Sequence, residues 1–215
     1  MTSAALQWLA FFTMLIHHTG YTFFPALPEL RAVGRLSFPL FAFLLSEGFA
    51  HTSNLKKYAA RLLFFALLAE IPYQLMIYHR LIGLRPSNIL FALLLSLGAL
   101  CCARRGGPWY LGVPALALLA QAGGFSYGFY GVLLVVLFYV FRGRRWAIPL
   151  VLASCTLLYC AYHHSLFQIW AIFAAVPLLF YNGQRGRRAP RYLLYILYPA
   201  HLAVLVCLYF LQRGI

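Results

Sequence analysis

The sequence predicts an all-α fold: a polytopic membrane helical bundle of about nine transmembrane helices, with a range of eight to ten. Three observations carry this expectation. Of the 215 residues, 64% are hydrophobic and 9% are charged, which leaves too little polar surface for a soluble domain. The apolar residues fall in runs approaching the ~20 residues that cross a hydrocarbon core of ~30 Å. The alternation expected of a transmembrane barrel is absent, so helices are the elements that satisfy their own backbone in lipid.

The runs lie at about 4–20, 36–50, 57–78, 87–103, 109–122, 128–142, 146–161, 165–181 and 191–211. Some are short, the second and fifth among them. Loops between them are too small for a separate soluble unit, so residues 1–215 read as one integral-membrane domain. Charge sets the orientation. Of 17 basic residues, twelve fall on one side under nine spans: Lys56, Lys57, Arg61, Arg104, Arg105, Arg142, Arg144, Arg145, Arg185, Arg187, Arg188 and Arg191. The other side holds Arg31, Arg35, Arg80, Arg85 and Arg213. The positive-inside rule then gives a cytoplasmic N-terminus and an outer C-terminus. It also explains the net charge of +14 without nucleic acid, for which no basic surface interleaved with exposed aromatics is present. The first run lacks a basic flank and a small-residue cleavage site, so it reads as a span, not a signal peptide. The five cysteines show no metal-like spacing and read as small buried hydrophobes.

Ionisable groups inside such runs are costly, and this makes them functional candidates. All three acidic residues, Glu29, Glu47 and Glu70, lie between Met14 and Pro72. Near the outer end of span one stand His17 and His18. Neighbours on a helix point about 100° apart, so one of the two at most aims squarely at a given site. Histidine titrates near neutral pH and suits a general base. Arg31 and Arg35 are one helical turn apart, and Arg35 abuts an apolar span, placed to hold a phosphate, a carboxylate or an oxyanion.

Glu47 and His51 share a helical face near the inner end of span two, as a proton-handling unit or a self-satisfied polar pair. Tyr58 and Arg61 open span three. Glu70 lies roughly 18 Å further along that helix, near the depth of His18, with Pro72 beside it. Asn88 stands where it caps span four or binds a ligand. The Gly-aromatic stretch 123–131 lacks a P-loop lysine and reads as an outer loop. His163 and His164 read as interfacial. In the last span Pro199 precedes His201, a histidine at an expensive apolar depth.

The order His18, Gly20, Phe24-Pro25, Arg35, Phe38-Pro39-Leu40-Phe41-Ala42-Phe43, Glu47-Gly48-Phe49, His51-Thr52, Asn54, Tyr58, Arg61-Leu62 and Glu70-Ile71-Pro72 resembles the TraX family. Asn88-Ile89-Leu90-Phe91, Tyr127-Gly128 and Tyr198-Pro199-Ala200-His201-Leu202 fit the same pattern, and Arg35 to Arg61 is its most specific part. The family is named for inner-membrane proteins of conjugation that N-acetylate pilin. The resemblance therefore implies a multi-pass bacterial inner-membrane acetyltransferase, with acetyl-CoA as co-substrate and a pilin or other exported protein, or a hydroxyl compound, as acceptor. The partners it implies are the bilayer, acyl-CoA and a pilin or other exported protein, with no nucleic acid, and no metal is implied by histidines this scattered.

One departure matters. The family usually has Asp-His in the first span, and this chain has His17-His18. The expected site is then His18 as base, His17 in the place of the usual acid, Glu70 as the orienting carboxylate and Arg35 as oxyanion stabiliser or CoA clamp. Glu47, His51, Tyr58 and Arg61 are expected to line the cytoplasmic side, with Asn88 and His201 in the interior. Two other classes use the same residues differently: a transporter or flippase of an anionic amphiphile, and a non-enzymatic assembly factor for a pilus or other surface appendage. The first should show inverted repeats, and none is evident. The second needs no buried polar cluster.

Overall fold

The computed structural model describes residues 1–81, 83, 86–186 and 192–214, and among these the chain is helical with no strand. Each of the nine apolar runs forms one helical segment. α1 is Ser3–Phe23, followed by a short α2, Pro28–Val33, and a 3-10 turn, Gly34–Leu36, that leads into α3, Ser37–His51. Then come α4 (Leu55–Tyr78), α5 (Ile89–Arg105), a 3-10 turn and α6 (Gly112–Ala122), α7 (Gly128–Val140) and α8 (Ala147–His163). A 3-10 stretch, Leu166–Ala174, runs into α9, Ala175–Leu179, and α10 is Leu193–Arg213.

The second run is longer than its apolar residues suggest. α2, the 3-10 turn and α3 together make one stretch, Pro28–His51, that is long and apolar enough to cross a membrane, as are Leu55–Tyr78 and Leu193–Arg213. Gly128–Val140, Ala147–His163 and Leu166–Leu179 are shorter apolar helices. A 17-residue helix such as α8 rises about 26 Å, close to the hydrocarbon thickness. Large apolar side chains face outward around the bundle; Phe64 and Ile71, two turns apart on α4, are 61% and 60% exposed. A continuous apolar exterior over helices whose polar groups turn inward is the surface of a membrane protein.

α7 is the central post. It packs on α3, α5, α6 and α8, and its Tyr130, Leu134 and Val135 are fully buried. α1 packs on α2, α3 and α10. Gly34 lets the 3-10 turn press onto α1, because a β-carbon there would lie 2.2 Å from that of His17. Basic residues gather at the opposite end of the bundle. There Arg142 Nε pairs with Glu47 Oε1 at 3.1 Å, Arg145 donates to the Tyr181 carbonyl, and Arg104 lies over Phe49. Arg85, Arg187, Arg188 and Arg191, counted in the sequence argument, lie outside the described residues.

Glu70 is an anchor of the fold and not the carboxylate of His18. Its Oε1 accepts from Gln74 Nε2 (2.9 Å), Ser87 N (3.1 Å) and Ser87 Oγ (2.7 Å). Its Oε2 accepts from Asn88 N (3.3 Å) and Asn88 Nδ2 (2.6 Å). Asn88, fully buried, also donates to the Ala66 carbonyl and accepts from Leu90 N as N-cap of α5. The carboxylate therefore sits at the start of α5, where the exposed N–H groups and the helix dipole favour negative charge. The Glu70 side chain turns to α5, where the unpaired donors of the helix start hold it.

Truncating this carboxylate leaves the buried Asn88 amide unsatisfied and should cost on the order of 3 kcal/mol. Glu70→Ala is therefore expected to lower the melting temperature in detergent sharply, with Glu70→Gln intermediate. An unchanged melting temperature in Glu70→Ala would refute the anchoring role.

Candidate active site

Three cavities follow one another through the bundle. At the basic end lies a vestibule of about 840 Å³ whose walls include Glu47, His51, Tyr58, Arg61, Tyr181 and Arg185. Behind it is a waist of about 130 Å³, lined by Phe11, Phe41, Leu62, Leu90 and Leu93 among other apolar groups. Vestibule and waist share Gln7, Leu44, Tyr58, Leu194 and Tyr195 as walls. The waist shares Met14, Ile89 and Tyr198 with a third chamber of about 210 Å³, which holds His17, His18 and Arg35. Single layers of side chains separate the three. Tyr58 and Tyr73, on the first and last walls, lie roughly 22 Å apart along α4.

The chamber is built on a histidine pair. His18 Nδ1 lies 2.8 Å from His201 Nε2, with the rings nearly parallel at 15°. His201 Nδ1 lies 2.9 Å from the Leu197 carbonyl, which can only accept. This pattern assigns the tautomers: His201 donates from Nδ1, so its Nε2 accepts and His18 donates from Nδ1. His18 Nε2 is then left with its lone pair, the position a general base requires. His17 is occupied differently, with Nδ1 3.3 Å from the Arg31 carbonyl and its ring edge-on to His18. The two neighbours thus have distinct tasks, as their angular separation requires.

Arg35 lines the chamber, and its guanidinium rests 4.9 Å from the centre of the Phe167 ring. Arg31 lies over the same ring at 5.3 Å. At the other end, Arg61 packs over Tyr58, and its Nε is buried without a hydrogen bond. Arg61 also lines the roomy basic vestibule, a setting that fits an anionic ligand such as a phosphate.

The structure thus brings His17, His18, Arg35 and His201 together at one end, and Glu47, His51, Tyr58 and Arg61 at the other. Glu47 and His51 do not form the side-chain unit considered above. The Glu47 carboxylate goes to Arg142 and, at 3.4 Å, to the Tyr181 hydroxyl, while His51 Nδ1 bonds the Glu47 backbone carbonyl. Glu70 and Asn88 belong to the anchor between α4 and α5. His201 stands where Glu70 was expected, as the partner of His18. Ser126, Tyr127 and Tyr159, to which the sequence reading gave no site role, complete the chamber. Tyr127 stacks on Phe38 at 4.0 Å from a left-handed conformation (φ 65°). A bulky residue amid Gly123-Gly124 and Gly128 is the signal that marks it, since positive φ is costly without a reason. His163 and His164 are exposed, as expected.

Comparison with known proteins gives the family. The family model described as TraX protein matches residues 2–209. A probable fimbrial assembly protein, FimC of serogroup H1, from Dichelobacter nodosus is 35% identical, over 82% of this chain and 81% of its own length. No solved structure matches. With the match running over nearly the whole chain, this membrane protein belongs to the TraX family.

Proposed function

We propose that the protein is a multi-pass acetyltransferase of the bacterial inner membrane, moving an acetyl group from cytoplasmic acetyl-CoA to an acceptor at the outer face. The acceptor is an amine, such as the N-terminus of a pilin or another exported protein, or a hydroxyl. The observation that carries this reading is the histidine pair, with one imidazole nitrogen available, at the far end of a cavity file that starts in a basic vestibule. The excess of basic residues at the vestibule end supports a cytoplasmic N-terminus and an outer C-terminus.

The dimensions support the donor. Arg61 and Arg185 would hold its phosphates. The arm between phosphate and thioester has about the contour of five peptide residues, roughly 17 Å when extended. It would therefore bring the thioester carbonyl to the near wall of the chamber, beside Met14 and Tyr198. There His18 Nε2 takes the proton from the attacking amine or hydroxyl as the new bond to the acyl carbon forms. Arg35 stabilises the negative charge that builds on the carbonyl oxygen. When the carbon–sulfur bond breaks, His18 returns that proton to the sulfur, leaving free CoA and the acetylated acceptor. His201 holds the His18 tautomer that makes this possible.

A second reading is that of an assembly factor without enzymatic activity, and the name of the Dichelobacter relative, a probable fimbrial assembly protein, favours it. It offers no use for the buried histidine pair or for the waist, so a transfer assay separates the two.

Acetyl-CoA at a hundredfold excess over its dissociation constant should stabilise the detergent-solubilised protein by ~2.7 kcal/mol. Arg61→Ala should blunt that gain. Absence of any thermal shift at millimolar acetyl-CoA would count against the donor and in favour of the assembly factor.

With radiolabelled acetyl-CoA and host envelope fractions, His18→Ala should lower transfer by ~10²–10⁴ while leaving the size-exclusion profile intact. His201→Ala should lose less, and its pH–rate profile should shift because the His18 tautomer is no longer fixed. Parental activity in His18→Ala would remove the mechanism at its centre.

A further inference from the structure

We propose that Arg31, together with Phe167 and the neighbouring Arg35, binds an anionic group, a carboxylate or a phosphate, carried by the acceptor beside its reacting nucleophile. This rests on the acetyl-transfer reading and names the acceptor's chemistry. α2 and the following 3-10 turn set Arg31 and Arg35 one turn apart, and both guanidiniums lie on Phe167. Arg31 is also held over Tyr21 at 5.8 Å. The Nε atoms of both arginines are buried without a hydrogen-bond partner. Each flat fork is thus fixed by aromatic rings and keeps donor capacity unused, an arrangement that matches a carboxylate or phosphate.

Nothing acidic balances this charge. Glu47 is committed to Arg142 at the opposite end, and Glu70 to the start of α5. Glu29 is exposed on α2 and makes no ion pair among the described residues. Two like charges on one ring, neither ion-paired with a carboxylate among the described residues, repel a cationic ligand and attract an anion. Arg31 adjoins the chamber without lining it, and its carbonyl holds His17. An anion held there lies next to the nucleophile presented to His18. The phosphate of an outer-leaflet lipid has the same chemistry, so the experiment must separate the two sources.

The test uses the full chain in nanodiscs of phosphatidylcholine, with inorganic phosphate as the probe. Phosphate should stabilise the parental protein saturably, Arg31→Gln should weaken that binding at least tenfold, and Arg31→Lys should recover part of it. Acetyl-CoA should shift all three alike, which shows the variants to be folded and the donor site intact. In the envelope transfer assay, phosphate should raise the apparent KM for the acceptor and leave that for acetyl-CoA unchanged. Equal phosphate binding by Arg31→Gln, or competition against acetyl-CoA alone, would overturn the proposal. So would loss of the phosphate effect in discs containing phosphatidylglycerol, which would assign the arginines to lipid. A parental protein that binds phosphate through Arg31 yet ignores acetyl-CoA would instead sink the donor reading, a different failure from any of these.

Discussion

One buried hydrogen bond, from His18 to His201, organises one end of this protein. It joins the first helix to the last across the bundle, and the Leu197 carbonyl below it leaves a single consistent arrangement of protons. Two neutral imidazoles can do this in a low-dielectric interior where a carboxylate partner would bring a charge to desolvate. With no carboxylate bonded to His18 among the described residues, the chain uses the His201 imidazole to fix it. The neighbouring constraint follows from the same physics. Glu70, a charge at similar depth, is stable because five donors and a helix start surround it.

The interior is divided by polarity. The wide end is basic and hydrated in character, the waist is apolar, and the far chamber mixes imidazole, guanidinium and phenol groups. Such a partition suits a ligand with a charged head, a long neutral arm and a reactive tip. It is poorly suited to a whole amphiphile crossing the bilayer, because a charged headgroup would have to pass the waist.

Much of this was legible in the sequence. Each span announced itself because hydropathy is additive along the chain, and no tertiary contact is needed to read it. His18 and Arg35 stood out because an ionisable group in an apolar run demands an explanation. What the sequence could not show was direction around a helix. Glu70 and His18 are at similar depths, but pairing also needs the two side chains to face one another, and Glu70 faces α5. The pairing of His18 with His201 joins residues 183 positions apart, beyond any local periodicity. The role of Tyr127 was hidden for another reason: it depends on one left-handed backbone position in a loop that reads only as glycine-rich and aromatic.

The apolar waist has an electrical consequence. A passage walled largely by groups such as Phe41, Leu62 and Leu93 is a poor solvent for a thiolate, so in the proposed transfer the leaving sulfur would recover its proton in the chamber before the arm withdraws. Under the proposed chemistry only neutral groups then pass the narrowest point in either direction, an acyl group outward and a hydrogen on sulfur inward. Turnover would move no net charge through the bilayer. Its rate would follow the acetyl-CoA supply and remain indifferent to the membrane potential, so modification of surface proteins could continue in a de-energised cell.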